Sequence, residues 1–325
     1  MEEFTEVLNY VQELLIKNNE WIERFKNYAD KINHNIDNIK IMKSNFNLWN
    51  PLFLYLNISE SKKSSPKFYL RYHGQDVASL SIKGSKITIS TKGYDKDNYF
   101  NCPVILSNEE WNSAKAREFR KHYLKNPDRN LNLPKKIIKN EHRIESLLLT
   151  AFSNKSRSGK ILENIQPVKL AGIARFQMPT PLGASKFPFK YSTDKGGGID
   201  ILARVGNGPN TKLCIMEIKD EYKHKDDPIK ALKQGLAYAV FIRELLRSDS
   251  GEKWWKLFGF NHSIPKSLKL YVACVMKLKN NQEIYDSSFK GNSINIGEDS
   301  IQFHYLYFEE NNNTISKSKI KTSLK

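Results

Sequence analysis

The chain has 325 residues, of which 39% are hydrophobic and 27% charged, a composition that supports a folded core and excludes an intrinsically disordered protein. Lysine and arginine outnumber aspartate and glutamate by 52 to 35, and the resulting net charge of +17 favours a polyanionic partner such as nucleic acid. The chain opens with acidic residues, unlike a signal peptide, and lacks the roughly 20 consecutive apolar residues of a membrane-spanning helix, so we expect a cytoplasmic protein without membrane contact.

Residues 4–41 carry apolar side chains at helical spacing, with charged and amide side chains between them. This pattern predicts one long helix, or a helix broken by a bend at Asn18 and Asn19. The apolar face must pack against the rest of the chain or against another molecule. The N-terminal helices are therefore also where a homodimer or a protein partner could dock.

Residues 68–89 alternate between apolar and polar side chains, and two glycine-containing turns interrupt the pattern. The sequence therefore predicts a small antiparallel β meander. Its basic and aromatic side chains could pair and stack with nucleic acid, although half-buried strands use the same residue types for packing, and packing is the more common role. These side chains are Tyr69, Arg71, Tyr72, Lys83 and Lys86.

A capping box predicts that the next helix begins at residue 107, with Ser107 as the N-cap and Glu110 completing the box. Pro127 and Pro134 then interrupt the chain. We place a domain boundary there, with residues 1–130 as a region for substrate binding or assembly and residues 131–325 as a second domain.

The second domain alternates helical and strand patterns. Its order, α-β-β-β-α-β, predicts an α/β fold in which helices flank a mixed sheet. A polar C-terminal tail is expected to fray. The predicted helices are residues 140–152 and a helix beginning at Pro228; the predicted strands are residues 169–181, 198–206, 212–221, 268–277 and 301–310.

Three charged residues interrupt two of these apolar strands. Side chains alternate along a strand, so Glu217 and Lys219 point to the same side at its end. The turn at residues 207–210 can place Asp200 across from them on an antiparallel neighbour. Two carboxylates suit Mg²⁺ or Mn²⁺, which such sites share with substrate phosphates, and a lysine beside the metal can orient or deprotonate water. This combination predicts phosphodiester hydrolysis.

The run Gly-Ile-Asp200, the apolar strand ending in Glu217-Ile218-Lys219 and the helix with Gln234 and Tyr238 together resemble the PD-(D/E)XK nuclease superfamily. The Gln-x-x-x-Tyr element is similar to that of its RecB-like branch. The resemblance covers roughly residues 141–241 and implies a restriction-endonuclease-like fold. It implies that Asp200, Glu217 and Glu145 hold the metal, that Lys219 is catalytic, and that Gln234 and Tyr238 brace the site or contact substrate.

The combined interpretation is a metal-dependent nuclease that cuts DNA, in a defence or mobile-element context. The alternative is a nuclease-fold module that binds nucleic acid or a protein without turnover. The three cysteines lie far apart without a Cys-x-x-Cys pair, so neither a disulfide framework nor a zinc or iron–sulfur site is expected.

Overall fold

A computed structural model of the protein describes residues 2–58, 66–91, 100–125, 141–153, 164–194, 196–219, 228–277, 292–311, 314–316 and 320–324. The helices of these residues are α1 (Glu2–Lys17), α2 (Trp21–His34), α3 (Ile36–Phe46), α4 (Ala114–Lys125), α5 (Glu141–Ser153), α6 (Pro228–Arg247) and α7 (Gly251–Leu257). None of the described helices is long and apolar enough to cross a membrane.

The strands form two main sheets. The N-terminal sheet contains β1 (Phe53–Asn57), β2 (Lys67–Tyr72), β3 (Gln75–Lys83), β4 (Lys86–Thr91), β5 (Glu109–Glu110) and, later in the chain, β7 (Arg175–Phe176). The central sheet contains β6 (Ile165–Pro167), β12 (Ile201–Val205), β13 (Lys212–Lys219), β14 (Lys269–Lys277), β15 (Ser293–Ile296), β16 (Asp299–Phe308) and β19 (Lys321–Thr322). Short pairs are formed by β8 (Met178–Pro179) with β11 (Gly198–Ile199), by β9 (Leu182–Gly183) with β10 (Lys190–Tyr191), and by β17 (Glu310–Asn311) with β18 (Thr314–Ile315).

The helical pattern at the N-terminus forms three helices, with breaks at residues 18–20 and at Asn35. Their apolar face packs against the rest of the same chain. The Phe4 ring lies 4.8 Å from Phe303 of β16, and the Phe25 ring lies 4.8 Å from Phe241 of α6. The indole of Trp254 in α7 donates a hydrogen bond of 3.1 Å to the Phe25 carbonyl.

The predicted meander is present as β2, β3 and β4, which pair in antiparallel order. On its other side β2 pairs with β1, and β1 pairs in parallel with β7. The N-terminal sheet is thus completed by a strand from beyond the expected boundary. The boundary itself, near residue 130, lies outside the described residues, and one hydrophobic cluster contains side chains from both sides of it.

The helix expected from residue 107 was predicted wrongly. Residues Glu109–Glu110 form β5, which pairs with β4, and helix α4 begins only at Ala114. Ser113 caps that helix instead of Ser107, because its hydroxyl accepts a hydrogen bond of 3.1 Å from the Ala116 amide. Strand pairing from a distant segment here outweighs a local capping signal.

Two other expectations also fail. The strand expected over residues 169–181 is interrupted, because Ala171 and Gly172 have positive φ angles of 51° and 71° and make a tight turn. The tail does not fray where it is described: β19 pairs with β16, and Leu324 is buried. A tertiary contact therefore orders a segment whose composition is polar.

The central sheet is mixed, as predicted. Strands β13, β14 and β16 are parallel neighbours, and β12 runs antiparallel to β13. Alternate residues of β13 face opposite layers: Leu213 and Ile215 belong to the cluster that includes α6, whereas Met216 and Ile218 belong to the cluster that includes α5. Helices cover both faces of the sheet, which confirms a mixed α/β class.

Candidate active site

Asp200 lies in the break between β11 and β12, beside the end of β13. The pairing of Ile201 with Met216 makes Glu217 the strand neighbour of Asp200. The Ile218 amide donates a hydrogen bond of 2.8 Å to Asp200 Oδ2. The two carboxylates predicted from sequence therefore meet at one edge of the central sheet.

The Glu217 side chain is fully buried, with 0% of its surface exposed. Neither of its carboxylate oxygens has a hydrogen-bond partner among the described residues. Burial raises the pKa of this carboxyl well above its usual value, and the nearby charge of Asp200 raises it further. An unpartnered buried carboxylate is costly unless a proton or a cation compensates it.

Asp200 is only partly exposed and has a similarly perturbed carboxyl. Burial raises its pKa from 3.8 to about 7, the Ile218 hydrogen bond opposes that rise, and the charge of Glu145 adds to it. Lys219 lowers the pKa of both carboxyls, although by less than burial raises it. Without a bound cation, both carboxyls therefore favour the protonated form more strongly than an exposed carboxyl does.

Lys219, Gln234 and Tyr238 join the site through helix α6. The Lys219 ammonium donates a hydrogen bond of 3.1 Å to Gln234 Oε1. Tyr238, one helical turn further along, is buried, and its pKa is raised by burial and by the charge of Glu217. Gly235, between them, lets the helix approach the sheet, since a Cβ there would lie 2.6 Å from Val272 Cγ1.

The glycines before Asp200 allow close packing within the protein. A Cβ at Gly196 would lie 2.1 Å from the Thr180 carbonyl oxygen, and one at Gly197 would lie 2.1 Å from the Tyr238 hydroxyl. Gly197 also exchanges backbone hydrogen bonds with its neighbours at residues 180 and 182. These contacts fix the chain segment that leads into the site.

Glu145 is buried on α5 and has two polar neighbours. His142 Nδ1 lies 3.4 Å from Glu145 Oε2, and Arg71 of β2 places a guanidinium nitrogen 3.9 Å from Glu145 Oε1. The hydrogen bond to Glu145 raises the pKa of His142. No three His, Cys, Asp or Glu side chains gather as a metal-binding group in the part of the chain that the structure describes, so the role of Glu145 as a third ligand stays a prediction.

Arg71 is the site residue that sequence reasoning undervalued. It was a candidate among the basic residues of the meander, but the sequence gives no sign that it reaches α5. Its guanidinium donates to Asp76 at 2.8 Å and lies 4.3 Å from the Tyr55 ring centre. The hairpin after it packs on the start of α5, where a Cβ at Gly74 would lie 2.0 Å from the His142 carbonyl oxygen.

Other basic and aromatic residues of the meander have structural contacts. Tyr72 is buried with its ring 4.8 Å from Phe100, and Lys86 pairs with Glu110 at 3.1 Å. The packing interpretation is therefore correct for Tyr72. Lys83 is exposed at the end of β3, and Tyr69 lines the cleft described next.

A cleft of about 510 Å³ opens beside the glycine segment. Helix α2 contributes one wall, β1 and β2 contribute another, and residues 177–180 and 196–198 complete it. Arg71 and Tyr69 line this cleft, so a molecule inside it would lie next to the Glu145 side of the site.

Comparisons with known proteins give no further identification. No protein-family model matches the chain, and neither the curated proteins nor the solved structures contain a match.

Proposed function

We propose that the protein is a metal-dependent nuclease of the PD-(D/E)XK type, with a restriction-endonuclease-like core, that hydrolyses phosphodiester bonds in DNA in the cytoplasm. The observation that carries the proposal is the convergence of Asp200, Glu217 and Lys219 at one sheet edge, with Glu217 fully buried and unpartnered. A carboxylate placed in this way has little structural benefit, and its cost is understandable if it binds a cation.

The residues present fit Mg²⁺ or Mn²⁺. Glu217 offers two free carboxylate oxygens and Asp200 offers a second carboxylate, a number of protein ligands that suits an ion shared with substrate phosphate. When bound, such an ion would polarise the phosphate and lower the pKa of a coordinated water. Asp200 and Glu217 would hold it.

The other side chains have roles that follow from their contacts. Gln234 fixes the Lys219 ammonium, so the lysine can orient the attacking water and offset charge on the phosphate. Tyr238 closes the space between α6 and the glycine segment and thereby holds the strand break at Asp200. The charge of Glu145 raises the pKa of Asp200, and its carboxylate lies 3.4 Å from His142, so its role as a third metal ligand stays a prediction.

The test is a cutting assay on supercoiled plasmid, linear duplex, single-stranded DNA and RNA, each with Mg²⁺, with Mn²⁺ and with EDTA. Wild-type protein is compared with Glu217→Gln, which keeps the shape of the buried side chain and removes its charge. Glu13→Gln changes the same charge at an exposed position on α1 and is the matched control.

We expect metal-dependent cutting by the wild type and the Glu13 variant, and none by the Glu217 variant. Cutting that persists in EDTA or in the Glu217 variant would contradict the proposal. If all three proteins bind nucleic acid equally and none cuts, the chain is a binding module without turnover.

A further inference from the structure

Three cationic side chains from two parts of the chain lie beside the N-terminal sheet: Lys43 of α3, and Lys169 and Arg175, which is part of β7. Lys169 and Arg175 flank a tight turn, because Leu170 and Ala174 form an antiparallel bridge that places the residues before and after it opposite each other. Helix α3 packs against β1, the strand neighbour of β7. The charge of Lys43 lowers the pKa of Lys169, and the charge of Arg175 lowers the pKa of Lys43. We call these three residues the cation cluster.

The cation cluster lacks a compensating acid. No carboxylate of the described residues forms an ion pair with any of its members, and Arg175 Nη1 is buried without a hydrogen-bond partner there. Burial lowers the pKa of Lys43 and Lys169, and repulsion within the cluster lowers it further. The arginine rests on the Phe53 ring, whose centre is 4.1 Å away, which fixes the guanidinium.

Two arginines elsewhere in the chain, one buried and one partly buried, have acids beside them. Arg143 makes two hydrogen bonds of 2.7 and 2.9 Å to Glu310, and Arg243 donates to Asp299 at 2.8 Å. Like charges held together without an acid destabilise the free protein. The arrangement is better explained by an anion that binds there than by a contribution to folding.

The positive surface continues from the cluster into a neighbouring cleft of about 520 Å³. Lys169, Arg204 and Lys256 line this cleft, and none of the described residues that line it is acidic. Arg204 is held by the Gly259 carbonyl and by Gln166, at 2.6 and 2.9 Å. A linear ligand that carries several anionic groups could therefore pair with cations of both the cluster and the cleft.

The cation cluster is also connected to the candidate active site. Arg175 is the strand neighbour of Tyr55, and its charge opposes the rise that burial causes in the pKa of the Tyr55 hydroxyl. Tyr55 carries Arg71 over its ring, and Arg71 in turn lies 3.9 Å from Glu145. The N-terminal sheet thus holds cations both beside Glu145 and beside α3.

We propose that the cation cluster binds the phosphodiester backbone of the nucleic-acid strand that is cut at Asp200 and Glu217. The proposal rests on the proposed nuclease function. A guanidinium matches two phosphate oxygens at once, and two ammonium groups beside it act as point charges, which is the combination that backbone recognition uses. In this role, residues of α3 and of the segment that includes β7 bind the substrate at a distance from the bond that is cut.

The test measures binding without cutting. The full chain and its Lys43→Gln, Lys169→Gln, Arg175→Gln triple variant are titrated in EDTA, over a range of salt concentrations, against labelled single-stranded DNA, duplex DNA and RNA. A triple variant at exposed lysines (Lys17, Lys121 and Lys266, each to Gln) is the control of equal charge.

We expect the cluster variant to bind at least tenfold more weakly than the control. Its plot of log affinity against log salt should be shallower by about 2 for a single strand, since each neutralised phosphate contributes about 0.7. Because the substitutions remove repulsion, the thermal midpoint should not fall. If the triple variant does not fold, the single Lys43→Gln and Lys169→Gln variants should each reduce the slope by about 0.7.

Equal affinity and equal salt slope for the cluster variant and the control would overturn the proposal, as would a wild type that binds none of the three polymers. A wild type that binds through the cluster but does not cut would contradict the nuclease function alone. The polymer whose affinity falls most in the cluster variant identifies the strand that this surface accepts.

Discussion

Replacing Asp200 by asparagine should stabilise the metal-free protein while it removes one of the two proposed metal ligands. The rise of the Asp200 pKa from 3.8 to about 7 means that the ionised carboxylate destabilises the folded state by roughly 4 kcal/mol. Solvent screening of this partly exposed side chain reduces that destabilisation to about 2 kcal/mol. Asparagine keeps an oxygen that can accept the hydrogen bond from the Ile218 amide. For a chain of this size the gain corresponds to about 3 °C in thermal midpoint.

The gain should depend on pH in a defined direction. An aspartate whose pKa is raised by folding binds more protons in the folded state than in the unfolded state between the two pKa values. At low pH Asp200 is protonated and does not lower the free energy of unfolding. As the pH rises from about 4 to about 7, its ionisation lowers the free energy of unfolding of the wild type. The asparagine variant should gain its full stability above about pH 7 and lose that gain towards about pH 4.

The assay is thermal unfolding in EDTA at several pH values, repeated with Mg²⁺. Asp249→Asn, at an exposed position, changes the same charge and is the control. Mg²⁺ should raise the midpoint of the wild type and of the control, but not that of the Asp200 variant. The burial argument would be refuted if, in EDTA at alkaline pH, Asp200→Asn had a lower thermal midpoint than the wild type. It would also be refuted if the difference in midpoint between the two proteins did not vary with pH.

Three further results are expected. Gly197→Ala should lower the free energy of unfolding by about 1–3 kcal/mol and reduce cutting, because its Cβ would lie 2.1 Å from the hydroxyl of buried Tyr238. Its control is Gly183→Ala, whose closest contact would be 3.7 Å and which should unfold like the wild type in the same thermal scan. Lys219→Met should abolish cutting and keep binding in EDTA, and Lys212→Met at the other end of the strand should cut like the wild type in the same gel assay. At subsaturating Mg²⁺, the single-turnover cutting rate should rise with pH towards about 7, because the metal-free Asp200 carboxyl has a raised pKa and would bind a cation only when ionised; a rate that falls over this range would contradict that role.

The mixed sheet could be predicted because its central strands are unusually clear in the sequence. β13 and β14 are nearly continuous apolar runs, and the acidic and basic residues at the end of β13 stand out against them. Alternation along β13 then places Glu217 and Lys219 on one face, and the turn before it brings Asp200 alongside. Each of these steps needs only local spacing.

The remaining features depend on contacts between distant segments, which spacing alone does not show. The capping box at Ser107 was a strong local pattern, yet Glu109–Glu110 pairs with β4 instead. Arg71 reaches Glu145 only because the hairpin after β2 packs on the start of α5. The meeting of Lys43 and Lys169 likewise follows from the position of α3 relative to β1 and β7.

The parallel pairing of β1 with β7 has a consequence for the order in which the chain can fold. During synthesis β1 has β2 as a neighbour early, but its other edge stays open until Arg175–Phe176 has left the ribosome. An open strand edge is a template for pairing with another chain. A fragment ending near residue 130 leaves this edge open and should therefore self-associate more strongly than the full chain in light-scattering measurements, so the N-terminal region is unsuited to transfer as an independent module.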